Sequence, residues 1–81
     1  MFYVYVLKSK KDKKCYIGFT NDLRRRFQEH NDGKNRSTFY RRPFELIYYE
    51  CYRDRDIAKR RETQVKGGKA HTALLKRLKE R

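Results

Sequence analysis

Two tyrosines, an arginine, a histidine and one glutamate stand at spacings that could gather them into a site. Tyr5 and Tyr16 lie in short aromatic runs, FYVYVL at 2–7 and CYIGF at 15–19, where strand side chains alternate between two faces. If the runs pair as a hairpin, Tyr3, Tyr5 and Leu7 share a face with Tyr16 and Gly18, and two phenols lie side by side. Arg26 and His30 are four apart in LRRRFQEH, so a helix projects them from one side, next to the apolar stripe of Leu23 and Phe27. Glu62 is the lone acid after Asp56 among Lys59, Arg60, Arg61 and Lys66. Together these types could grip an oxyanion, move a proton and hold a hard cation. Each has a plainer reading as well. Tyr-rich strands pack sheets, a helix-flank arginine snorkels, a histidine near a helix C-terminus meets the dipole, and a glutamate among lysines forms a solvated ion pair.

Charge narrows the partner. The 81 residues carry 23 Lys and Arg against 10 Asp and Glu, a formal net charge of +13, so a polyanion is expected. Nucleic acid is favoured because neutralising phosphates releases counterions. DNA is the first expectation and RNA the second. A membrane surface is disfavoured, since the basic residues are spread over every segment and no apolar run approaches the roughly 20 residues of a span. No signal peptide is visible, and a cytoplasmic monomer is expected. Cys15 and Cys51 have no second Cys or His at zinc-ligand spacing and read as free, partly buried thiols.

The elements that must position these groups follow from local pattern. The two aromatic runs, joined by a basic turn, predict a hairpin. Asn21 or Asp22 caps a helix over LRRRFQEH, with an acid in its first turn, and Asn31-Asp32-Gly33 ends it. Residues 34–43 (KNRSTFYRRP) form a loop. Its Lys34, Arg36, Arg41 and Arg42 around Phe39 and Tyr40 either clamp phosphates and stack a base, or are solvated charges on a loop anchored by two core aromatics. FELIYYECY at 44–52 predicts a third strand. Asp54 or Asp56 then caps a helix whose inner side is Ile57, Ala58 and Val65, stopping at Gly67-Gly68. In the tail KAHTALLKRLKER, Leu74, Leu75 and Leu78 share a side, so a last helix docks there. The order β-β-α-β-α-α predicts a single α+β domain over residues 1–81, a small three-stranded antiparallel sheet flanked by helices.

Taken in order, the singled-out residues resemble the pattern of the GIY-YIG nucleases. Tyr3-Val4-Tyr5 stands where the first triplet falls, and Tyr16-Ile17-Gly18 is the second triplet letter for letter. Arg26 lies ten residues beyond Tyr16, His30 follows one turn later, and Glu62 takes the late-helix acid position. The resemblance runs from about residue 2 to 66 and looks most like small single-domain bacterial members, relatives of the nuclease modules of homing endonucleases and of the nucleotide-excision-repair incision subunit. Tyr3 replaces the Gly of the first triplet, and no Asn follows Glu62 as it does in larger members.

The resemblance implies phosphodiester hydrolysis with one Mg²⁺ or Mn²⁺ held by Glu62. Tyr16 would take the proton from water, and because a free phenol titrates near ~10 that role needs a neighbouring cation, which Arg26 can supply. Arg26 would also grip the phosphate oxygens. Tyr5 and His30 would position the water and the phosphate or assist proton transfer, and Gly18 would let backbone approach closely. Arg25, Lys34, Arg36, Arg41, Arg42 and Lys66 are the expected nucleic-acid contacts. The alternative is a module that binds DNA or RNA with little or no turnover.

Overall fold

Strand β1 (Phe2–Ser9) lies between β2 (Cys15–Thr20) and β3 (Phe44–Tyr52), antiparallel to both. That central place explains its unbroken apolar run, because a strand covered on both faces needs no polar alternation. In the computed structural model, which describes residues 1–79, helices α1 (Leu23–Asn31), α2 (Arg55–Val65) and α3 (Gly68–Lys79) flank this sheet. The expected element order is the observed one, and of the tail helix only Glu80 and Arg81 lie outside the described residues.

Alternation along β1 divides the core in two. Val4 and Val6 join Ile17, Ala58, Val65 and Leu74 under α2 and α3. Tyr5 and Leu7 point the other way, join Phe44, and are covered by Tyr16, Leu23, Phe27 and Leu46. The faces of the hairpin therefore coincide as expected, with Tyr5 opposite Gly18 and Leu7 opposite Tyr16.

Caps set the helix ends. The Asp22 side chain accepts from the Arg25 amide and that of Asp54 from the Ile57 amide, each satisfying an otherwise orphan donor. The expected first-turn acid of α1 is instead this cap, and the turn itself carries none. Gly33, at φ +78°, makes the left-handed turn after α1. Two expectations of burial are corrected. Ile57 is exposed because the inner stripe of α2 runs Ala58, Glu62, Val65, one residue round the helix from where apolarity alone puts it. Cys51 is exposed on β3, and only Cys15 is partly buried; both are free thiols.

One ion pair fastens β3 to α2. Arg61 donates from Nε and Nη2 to the two Glu50 oxygens at 2.9 and 3.0 Å, and the hydroxyls of Tyr48 and Tyr52 each donate to the same carboxylate at 2.6 Å. Burial would push the Glu50 carboxyl up, but these four hydrogen bonds outweigh it and hold the group at about 2. Since that lies below the unfolded value, the stabilisation is present above the ordinary carboxylate range and is lost as pH falls toward 2. Glu50→Gln should therefore lower the unfolding free energy near neutrality by about 2 kcal/mol and flatten its fall in acid. Chemical denaturation at neutral and acid pH reads both, and an unchanged acid slope would refute the assignment.

Candidate active site

Tyr5 reaches across the face of the sheet because nothing blocks it at Gly18. A Cβ on Gly18 would overlap the Tyr5 hydroxyl and ring. Past that gap, the Tyr5 hydroxyl meets His30 Nε2 at 2.9 Å, and His30 Nδ1 meets Thr38 Oγ1 at 2.9 Å. The chain Tyr5–His30–Thr38 runs from the central strand through α1 to the 34–43 loop, and all three side chains are fully buried.

Protonation in this chain follows from its surroundings. Burial, then the neighbouring Tyr16, raises the Tyr5 phenol well above its usual range, so it keeps its proton and donates it to His30. Burial, then the Arg26 charge, lowers His30, so its ring is neutral near pH 7. With Nε2 accepting, the assigned tautomer has Nδ1–H donating to Thr38. Both ring nitrogens are thus occupied within the protein. The expectation of a helix-flank histidine is corrected here, since the ring lies wholly inside, edge-on to Tyr5, Tyr16 and Phe44.

Tyr16 differs from Tyr5. Its ring centroid lies 5.0 Å from that of His30 and 6.3 Å from that of Tyr5, yet it is half-buried and its hydroxyl has no hydrogen-bond partner among the described residues. Arg26 stands beside them, its charge felt by both Tyr5 and His30. Its Nε is buried without a hydrogen bond, and Glu29 lies 3.6 Å away. A guanidinium so lightly engaged is free to take an oxyanion.

Glu62 stands apart from this cluster on α2, near enough for its charge to act on Tyr5. It is buried, with Lys59 at 3.2 Å from Oε1 and Lys66 at 2.9 Å from Oε2. Burial raises its carboxyl, but the hydrogen bonds from Lys66 and Lys59 outweigh that and keep it below the usual range. It is an ionised hard-oxygen donor. Among the described residues no three His, Cys, Asp or Glu side chains gather, and a divalent ion on Glu62 would be held by one carboxylate with water completing its shell, in competition with Lys59 and Lys66.

The basic residues fall into two groups. Arg25, Lys34, Arg36, Arg42 and Lys66 are exposed, although Lys66 holds Glu62 and Arg25 lies 4.0 Å from Asp22 and 3.9 Å from Glu29. Arg41 is drawn inward, with Nε on Asp12 at 2.7 Å and its head over the Phe44 ring. Sequence reasoning did not find Thr38, nor Asn31, whose amide bonds both the N–H and C=O of Phe44. For Glu50 a signal existed: Tyr48, Glu50 and Tyr52 alternate along one strand face.

Residues 1–79 match the model of the GIY-YIG catalytic domain. A UPF0213 protein of Bacillus pumilus is 45% identical over 79% of this chain and 65% of its own length, so the chain spans just under two thirds of that relative. A UPF0213 protein of Haloquadratum walsbyi is 38% identical over 79% of the chain and 72% of its own length. The solution structure of a UPF0213 protein from Bacillus halodurans superposes with a TM-score of 0.58 at 35% identity, covering 98% of this chain and 86% of that one. No helix among the described residues is long and apolar enough to cross a membrane.

Proposed function

The chain belongs to the GIY-YIG catalytic domain family, and on that premise we propose that it is a monomeric endonuclease that hydrolyses phosphodiesters in DNA first and RNA second. The observation that carries this is the convergence of Tyr5, Tyr16 and His30 beside a lightly engaged Arg26.

Hydrolysis requires a water stripped of its proton, a held phosphate and charge stabilisation as the phosphorus becomes five-coordinate. Tyr5 and His30 are committed to each other, which leaves Tyr16 to act as the base in its phenolate form, its oxygen taking the proton from water and becoming the neutral phenol as the hydroxide attacks phosphorus. Arg26 binds the non-bridging oxygens and stabilises their charge. Tyr5, His30 and Thr38 act as positioning residues, fixing the wall against which the Tyr16 ring rests. Glu62 would hold Mg²⁺ or Mn²⁺, which supplies charge neutralisation at the phosphate and the departing oxygen. Exposed Arg25, Lys34, Arg36 and Arg42 add positive charge that draws the polyanion to the domain.

A second reading, a binding module without turnover, is favoured by one observation: both Glu62 oxygens already carry a lysine. Labelled single-stranded, nicked and branched DNA incubated with Mg²⁺ or Mn²⁺ separates the two. Cleavage that falls about a hundredfold or more in Glu62→Gln, with binding retained, is the expected result. Cleavage equal in wild type and Glu62→Gln sinks the nuclease assignment, and binding without cleavage establishes the second reading.

A further inference from the structure

The 34–43 loop presents two large rings to solvent. Phe39 and Tyr40 sit in a short 3₁₀ turn (Phe39–Arg41) and are 48% and 59% exposed, so they anchor no core. Their ring centroids are 5.8 Å apart with planes at 85°, giving two differently oriented aromatic surfaces.

This exposure is built into a fastened segment. Ser9, itself buried, donates its hydroxyl to the Arg41 carbonyl, and Lys11 Nζ donates to the Tyr40 carbonyl at 3.1 Å. The Arg41 guanidinium is locked on Asp12, and the Lys10 amide donates to the Pro43 carbonyl at 2.8 Å. At the front of the turn, Thr38 holds His30 at 2.9 Å. The rings thus stand one and two residues beyond Thr38, the end of the buried chain that supports the site. In the sequence, exposed Arg36 and Arg42 stand on either side of them.

From this we infer that Phe39 and Tyr40 are a stacking platform for unpaired nucleobases, selecting a single-stranded stretch of the substrate. This rests on the nucleic-acid reading above and adds its substrate class. Exposed rings on a fastened turn whose chain neighbours include exposed Arg36 and Arg42 suit a strand whose bases are free, because each base offers a face to an aromatic ring while the arginines take the phosphates. In an intact duplex the base faces are covered by their neighbours and only phosphates remain to be held. Holding the backbone of the turn in advance also lowers the ordering cost of binding.

The test uses three fluorescent probes of equal phosphate number: oligothymidylate, the same backbone with abasic sites, and a blunt duplex. Wild type should bind oligothymidylate about tenfold or more tightly than the abasic strand. Phe39→Ala/Tyr40→Ala should erase that preference while keeping duplex affinity and the salt dependence, since no charge is removed. Tyr40→Trp should keep it. Both rings are exposed, and unchanged thermal unfolding checks that the double variant folds. Equal wild-type affinity for thymidylate and abasic strands overturns the platform while leaving the nuclease reading standing, as does a preference that survives the double variant. Failure to bind all three probes overturns both.

Discussion

Tyr16→Phe should lower the cleavage rate by about a thousandfold while leaving the fold and nucleic-acid affinity unchanged. The substitution deletes one oxygen and keeps the ring that rests on His30 and Tyr5. That hydroxyl has no hydrogen-bond partner among the described residues, so its loss orphans no buried donor. Tyr5→Phe provides the contrast. It removes a hydroxyl that is buried and bonded to His30, so it should cost stability as well as rate. Cleavage kinetics and denaturant midpoints on the two variants separate the roles. If Tyr5→Phe abolishes turnover with stability intact while Tyr16→Phe cuts normally, the two phenols have been assigned the wrong way round.

The asymmetry between these two tyrosines was not legible from their spacing, although their common face was. Alternation with period two places Tyr5 and Tyr16 on one side, and the observed pairing agrees. The depth of each depends on what crosses over them. His30 is 25 residues from Tyr5 and Thr38 a further eight on, and such distances are closed by packing that local pattern does not encode. The caps at Asp22 and Asp54 were legible because they act within one turn. Apolarity does not mark burial at Ile57, because the buried stripe of α2 includes Glu62, paired with two lysines, and borders Arg61, bonded to Glu50. In a domain this basic, inner positions are identified by ion-pair partners as well as by apolar side chains. The same lesson applies to Phe39 and Tyr40. Two aromatics in a loop could anchor it or be presented by it, and the anchoring falls to Ser9, Lys11 and Arg41.

Gly18→Ala should be the most damaging single-methyl change in the chain. Strand glycines usually tolerate alanine, which often improves β-structure, so the ordinary expectation is neutral or stabilising. Here the added Cβ falls on the Tyr5 ring and hydroxyl, and that ring is fully buried on the central strand. Tyr5 cannot turn away without leaving His30, and His30 then loses one of its two partners. Overpacking of this kind costs about 3 kcal/mol, a large share of the roughly 4 to 12 kcal/mol expected for a domain of this size. Cleavage should fall together with stability, because displacing Tyr5 moves the wall behind Tyr16. Tyr5→Phe in the Gly18→Ala background supplies the decisive comparison. Deleting the hydroxyl removes one of the colliding atoms, so the double variant should be less destabilised than the sum of the two singles. Strict additivity in denaturant unfolding would show that the glycine serves something other than the passage of Tyr5 to His30.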